Sequence, residues 1–369
     1  MTARYEINDA GTIDSPALIF YPGRIVQNID RLKSSVNSVS RLRPHVKTHK
    51  SADVVDLLIR AGITKFKCAT IAEAEMLGQA GAADVLLAYQ PFGPKIARYI
   101  ALVNTFPSTR FSCLFDNVNS LEALATAGLN SLKTINLLLD LDLGMNRTGI
   151  AADNQALDLY RMASSTAGIK LMGLHGYDGH IHEPLLQKRK AAWLTGWNKI
   201  QELEVQITSL GLARPLIVAG GTPTFPFYAA EAHVECSPGT FILWDKGYQD
   251  AFAEQDYLIA ALLLTRVISL PGHTKITVDL GHKSVAAENE LTKRVTFLNA
   301  PNALIISQSE EHLVLEMGEN HGFKMGDVLY ALPKHICPTV ALYERATTVE
   351  NGQVTGEWEI TARNRKINI

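Results

Sequence analysis

The sequence predicts an α/β fold: a (β/α)8 TIM-type barrel joined to a second, mainly antiparallel β domain. Three observations predict it. From Arg43 to Pro238, short apolar strand-like runs alternate with helix-like stretches, the pattern of βαβ units and a parallel sheet. The strand-like runs number eight, which is the count of a closed barrel. Beyond Asp250 the helical periodicity fades, and runs with strand character take over.

The elements follow in order. Residues 17–21 (ALIFY) form a strand candidate ahead of the eight. The eight are 43–47, 65–69, 85–89, 111–115, 134–140, 171–177, 216–219 and 234–236. Helix-like stretches at 51–61, 71–80, 95–103, 118–127, 153–164 and 185–210 lie between them. No GxGxxG follows the first strand, which weakens the rival arrangement, a doubly wound dinucleotide-binding sheet. In the last part, 275–280, 312–316, 328–332 and 357–361 read as strands, and Asn351-Gly352 is a hairpin-turn dipeptide. The expected domains are therefore 22–248 for the barrel and 1–21 plus 249–369 for the β domain.

Composition narrows the function without naming it. Apolar residues are 47% and charged residues 20% of the 369, values of a folded chain rather than a disordered one. Lys plus Arg is 35 and Asp plus Glu is 37, a net charge of −2. Such a chain has no bulk electrostatic footprint for nucleic acid or an anionic membrane. The first residues lack a basic-then-apolar pattern, so no signal peptide is expected. No run reaches the roughly 18 apolar residues of a membrane span. Cys68, Cys113, Cys236 and Cys337 form no CxxC, and three of them sit in apolar runs. Reduced thiols and a cytoplasmic enzyme fit that usage.

Barrel active sites gather where strands end at the C-terminal face. The first strand ends RPHVKTHK, with Lys47 at its tip. Taken alone it reads as an exposed loop lysine; at a strand end it can also be a Schiff-base amine. The fifth strand ends in GMNRTG, carrying Arg147. The sixth ends LHGYDGHIH, which crowds His175, Tyr177, Asp178, His180 and His182 together. His180 and His182 would share one face if extended, a weak metal pattern against a plain polar loop. The seventh ends AGGTPT, where Gly220, Gly221 and Thr222 let backbone N–H groups approach an anion. An amine, a ring platform and a phosphate cup at one mouth suit pyridoxal 5′-phosphate (PLP).

Together RPHVKTHK, GMNRTG, the Tyr177 loop, AGGTPT and SPGTF resemble the D-threonine aldolase and D-serine dehydratase family, alanine racemase-like fold-type III PLP enzymes. The resemblance covers nearly the whole chain. It implies that Lys47 forms the aldimine with PLP, that Arg147 faces the pyridine nitrogen, that Tyr177 lies near the cofactor, and that Gly220, Gly221 and Thr222 bind the phosphate. One departure stands out: Tyr177-Asp178-Gly179 replaces the Tyr-His-Gly of aldolase relatives, leaving His180 or His182 to supply a base. His180 is taken as that candidate.

In the β domain, His335 and Cys337 stand two apart in KHICPT and would point the same way on an extended backbone. Imidazole and thiolate are a soft pair suited to zinc. The spacing alone is weak; the resemblance implies that this pair holds a divalent metal (zinc, manganese or magnesium). The function expected is a PLP- and metal-dependent lyase of β-hydroxy D-amino acids, of the D-threonine aldolase type, giving glycine and an aldehyde. The alternatives are a D-serine dehydratase giving pyruvate and ammonia, an amino-acid racemase, and a non-catalytic PLP-binding protein. The resemblance also implies a homodimer acting on small molecules.

Overall fold

Strands buried on both faces form the backbone of the barrel, as their continuous apolar runs require. The computed structural model describes residues 5–369, arranged as two compact units. Residues 1–4 of the expected 1–21 segment lie outside the described residues.

The barrel unit takes Leu32–Lys47, Val55–Gly239 and Asn364–Ile369. Its parallel strands run Lys65–Cys68, Asp84–Leu87, Arg110–Phe115, Ile135–Asp142, Ile169–Tyr177, Leu216–Ala219 and Val234–Cys236, each bonded to the next. Residues 42–45 take the remaining stave: Leu42 bridges Cys236 and His45 bridges Lys67. Here the structure corrects the sequence, because 43–47 is not a continuous strand. Pro44 has no N–H to give a ladder. Arg43 N donates to Cys236 O, His45 N donates to Pro238 O, and Pro44 O accepts from Lys67 N, each at 2.9 Å. The chain then enters a single 3-10 turn, Val46–Thr48, which carries Lys47.

Helices Ala52–Arg60, Ile71–Gln79, Pro94–Thr105, Val118–Ser131, Asn154–Ser164 and Leu186–Ser209 lie where the spacing predicts them. Their starts are chemically marked. Thr70 Oγ1 accepts from Glu73 N at 3.1 Å, and Glu73 Oε2 accepts from Ala69 N at 2.7 Å, a reciprocal cap. Asn117 and Asp153 cap Val118–Ser131 and Asn154–Ser164 with their side chains. Each such cap is worth about 1 kcal/mol. Leu86, Leu114, Leu138 and Val218, from four strands, pack into one buried cluster. Strands Ile169–Tyr177 and Leu216–Ala219 approach so closely that a Cβ on Gly173 would lie 1.9 Å from Leu216 O, so only glycine fits.

The β unit takes the described residues through Arg31, Thr48–Val54 and Thr240–Arg363. Its sheet runs Leu304–Gln308, Leu313–Glu316, Lys275–Val278, Ala261–Ser269, Ala17–Phe20, Arg345–Glu350, Gln353–Glu359. Val328–Pro333 pairs with Ala261–Ser269 and with Val295–Phe297. The pairing is antiparallel except between Ala17–Phe20 and Arg345–Glu350. Asn351 and Gly352, at φ 49° and 77°, make the tight left-handed turn that joins the last two strands. Among the described residues no helix is long and apolar enough to cross a membrane.

Candidate active site

The barrel unit holds a cavity of about 710 Å³. Lys47 reaches it from the 3-10 turn, Arg147 from the loop after Asp142, and Tyr177 from the end of its strand. The Tyr177 ring is the shared platform. Lys47 Nζ lies 5.3 Å from its centre, Arg147 Cζ 5.1 Å and Lys67 Nζ 5.5 Å. The electron-rich ring face suits basic groups gathered around it. Lys95, Arg98 and Arg365 also line the cavity, and Asp140 is the one carboxylate residue in its lining. The space is therefore built for an anionic ligand.

Lys67, Asp140 and Gln90 are members that sequence reasoning did not select, and His175 is one it named only as part of the crowded end of the sixth strand. The four form a connected chain. Lys67 Nζ is 3.3 Å from His175 Nε2, His175 Nδ1 is 2.7 Å from Asp140 Oδ1, and Gln90 Nε2 donates to Asp140 Oδ2 at 2.8 Å. Burial would raise Asp140, but the His175 bond, with help from Thr148 and Gln90, holds it below the usual carboxylate range. An ionised carboxylate only accepts, so His175 donates from Nδ1 and its Nε2 accepts from Lys67. Burial and the Lys67 charge keep the His175 pKa low despite Asp140. Lys67 itself falls to about 7, first through burial and then through the Lys47 charge, with Asp178 and Asp140 opposing.

The Gly-Gly-Thr turn sits behind Tyr177 rather than in the cavity wall. A Cβ on Gly221 would lie 3.1 Å from Tyr177 Cε2. Gly220 is left-handed (φ 81°), and a Cβ there would lie 2.5 Å from the Tyr228 ring. Thr222 Oγ1 accepts from Gly239 N at 3.0 Å. Ser237, whose N donates to Ala219 O beside this turn, has a buried Oγ with no hydrogen-bond partner. Asp178 is also buried, accepts from Thr224 Oγ1 at 2.9 Å, and is pushed up to about 6 by burial. His180 is exposed and is not part of the cavity lining. It lies beside Gly144, where a Cβ would stand 3.1 Å from its Nε2. His182 is exposed as well.

In the β unit the structure corrects the extended reading of KHICPT. His335 has extended φ and ψ, but Ile336–Val340 is a short helix that it leads into. Pro338 falls within that first turn, where a missing N–H costs nothing. His335 and Cys337 are still partners. Burial opposes the imidazolium, but the Cys337 hydrogen bond and charge, then Asp245 and Glu288, lift His335 to about 9. Glu288 Oε1 is 2.7 Å from His335 Nδ1. Cys337 Sγ lies 3.2 Å from the Oγ1 of Thr48, the residue after Lys47, and 3.5 Å from Thr240 Oγ1. Among the described residues no group of three or more His, Cys, Asp or Glu gathers to hold a metal ion.

The four thiols differ in access. Cys68, Cys113 and Cys236 are buried, and burial raises Cys113 and Cys236 to about 12. Cys337 is partly exposed. Iodoacetamide at about pH 8 is expected to alkylate Cys337 at least about tenfold faster than the others, because reaction needs an accessible thiolate. Peptide mass mapping after timed labelling checks this; equal rates at all four would contradict the burial pattern.

Comparisons with known proteins now bear on this geometry. Residues 22–245 match the family model described as alanine racemase, N-terminal domain. Residues 260–349 match one described as a putative serine dehydratase domain. A D-threonine aldolase from Arthrobacter sp is 25% identical over 359 residues, covering 95% of this chain and 93% of that protein. A 3-hydroxy-D-aspartate aldolase from Paracoccus denitrificans (strain Pd 1222) is 26% identical, covering 97% of this chain and 94% of its own. The crystal structure of a D-threonine aldolase from Filomicrobium marinum superposes with a TM-score of 0.87 at 24% identity, over 96% of both chains. That last match bears on the fold.

Proposed function

Since the chain belongs to the alanine racemase N-terminal-domain family, we propose that it is a PLP-dependent lyase of β-hydroxy D-amino acids, of the D-threonine aldolase type. The chain is a lyase, as are the aldolases that align with it end to end. The observation that carries the finer reading is the convergence of Lys47 and Arg147 on the Tyr177 ring in one cation-lined cavity.

The residues present fit PLP. Lys47 offers the amine, Arg147 a donor for the ring nitrogen, and Tyr177 an aromatic wall. Gly220, which is left-handed, and Gly221 bring no Cβ to the turn that Thr222 completes, and the unpartnered Ser237 Oγ beside it suits a phosphate oxygen. When bound, PLP supplies a sink for the electron pair left on Cα when a bond to that carbon breaks. Arg147, whose guanidinium has donors only, would leave the ring nitrogen as an acceptor. Arg98 is engaged by Ile369 O and Arg365 O, but Lys95 and Arg365 give the cavity cations beyond those needed for the cofactor, which favours a substrate with an acidic side chain. The Paracoccus relative named for 3-hydroxy-D-aspartate supports that preference.

His335 and Cys337 supply the donor chemistry of a divalent metal, with Glu288 bonded behind the imidazole to fix its orientation. A metal held there would act as a Lewis acid on oxygen. His180 is left out of this scheme because it is exposed away from the cavity lining. A homodimer belongs to the same reading. A second reading, a D-serine dehydratase, is favoured by the match of 260–349, which contains His335 and Cys337, to a putative serine dehydratase domain.

One assay separates them. D-threonine, 3-hydroxy-D-aspartate and D-serine are each incubated with the PLP-loaded protein, with and without chelator. Glycine plus an aldehyde is the expected product, with activity lost to chelator and restored by added metal. Pyruvate and ammonia from D-serine, without glycine from the others, would replace the aldolase reading by the dehydratase one. Undiminished turnover after metal removal would sink the role of His335 and Cys337.

A further inference from the structure

We propose that Lys67 is a second functional amine of the barrel cavity, the group that takes up the β-hydroxyl proton as the substrate's Cα–Cβ bond breaks, with His175 and Asp140 as its positioning residues. This rests on the aldolase form of the reading above. Lys67 is 2% exposed, yet it lines the cavity on the same aromatic ring as Lys47. A buried lysine with a purely structural role is normally tied to a carboxylate. Lys65, two residues earlier in the same strand, is tied in that way to Glu235. Lys67 instead meets the neutral imidazole of His175, and Asp140 spends its charge on that imidazole's far side. The arrangement fixes the amine in place without pinning a proton on it.

The groups around it act together. Lys47 from the 3-10 turn and Arg43 from the 42–45 segment disfavour its charge, as does burial; Asp140 and Asp178 favour it. Arg147 acts on His175 in the same sense as Lys67 does, keeping the imidazole uncharged. The outcome near 7 is that of a base able both to accept and to release a proton at neutral pH. In the reaction the O–H bond breaks and its proton passes to Nζ. The O–H electron pair becomes the second bond of the aldehyde carbonyl. The Cα–Cβ pair remains on Cα, where the proton held by Nζ completes glycine and frees the amine again. Loss of the Lys47 charge would strengthen Lys67 as a base, so the two amines are coupled.

Competitive acetylation of the full-length, cofactor-free protein tests this without turnover. Acetic anhydride is applied across about pH 6 to 11, and each lysine's reactivity is read by peptide mass spectrometry against ordinary lysines, which titrate near pH 10.4. Lys67 is expected to reach half-reactivity about three pH units below them, and to move upward in Lys47→Ala, which removes the neighbouring charge. In the loaded enzyme, Lys67→Gln is expected to lower kcat by about 10²–10⁴-fold and remove the low-pH limb of its profile, while cofactor absorbance persists. Lys67 that titrates with the surface lysines, or never reacts, overturns the proposal even if Lys67→Gln fails to fold. So does a Lys67→Gln enzyme with kcat within about threefold of the parent. A wild-type protein that forms neither a cofactor band nor glycine overturns the underlying lyase reading instead.

Discussion

Lys47→Ala is expected to cut lyase activity by about 10⁴-fold or more, the scale seen when a covalent catalyst loses its nucleophile. The visible absorbance of the PLP-loaded protein should be lost or strongly altered with it. The fold should survive. Lys47 enters the hydrogen-bond network through its backbone N, which donates to His45 Nδ1 at 3.2 Å and which alanine keeps. Its Nζ faces the Tyr177 ring 5.3 Å away rather than a buried carboxylate, so its removal leaves no charge stranded. Thermal unfolding of the variant should therefore match the parent to within a degree or two, and the defect should be chemical. Partial recovery on adding a small primary amine would identify the missing group as an amine. Turnover within about tenfold of the parent, with an unchanged spectrum, would exclude Lys47 as the amine that holds PLP. Lys67, on the same ring, is then the amine to examine next.

What the sequence revealed depended on whether a signal was local. Strands such as Arg110–Phe115 and Ile135–Asp142 are buried along most of their length, so FSCLF and INLLL stand out as apolar runs. The helix-like stretches were legible as segments between those runs, whereas the side-chain caps at Thr70, Asn117 and Asp153 emerge only from the structure. The Asn351-Gly352 turn carried its own conformational demand. The Ala261–Ser269 strand was missed because LIAALLLTRVISL is one long apolar run with no turn residue to mark where it begins. The 43–47 segment was read as a strand on its apolar neighbours, but Pro44 breaks the ladder and the bridges to Cys236 and Lys67 are visible only in three dimensions. Lys67 shows the limit most plainly. In KFKC it looks like one of two solvent-facing lysines, and only barrel closure turns it toward His175, 108 residues away. KHICPT admits an extended strand as easily as a helix entry, and proline in the first turn decided for the helix.

Arg43→Ala is expected to cost about 3–5 kcal/mol of barrel-unit stability, because it strands two buried carboxylates at once. Arg43 is 2% exposed; its Nη1 donates to Asp84 Oδ1 and its Nε to Glu235 Oε2, both at 2.7 Å. Lys65 and Arg110 pair with the same carboxylates from more exposed positions, and so retain access to water when the centre is removed. The loss thus falls on Asp84 and Glu235. Burial alone would raise Asp84, yet the hydrogen bond and charge of Arg43, then those of Arg110, hold it below its ordinary value. A carboxylate depressed in the folded state adds stability above its unfolded pKa of about 3.9, and that stability fades as pH falls through the lower folded value. The parent should therefore weaken on acidification below about pH 4, and Arg43→Ala should show less of that dependence because its Asp84 has lost the depressing partner. Urea titrations at neutral and acid pH measure both effects. A neutral-pH loss under about 1 kcal/mol would mean the network is solvated in solution. The triple change Arg43→Met, Asp84→Leu, Glu235→Leu should be milder than Arg43→Ala alone, since it removes the charges together with their desolvation cost. Activity supplies an independent readout: Arg43 anchors the stave that leads directly into the turn bearing Lys47, so a broken network should lower kcat through misplacement of that amine, even where the protein remains folded.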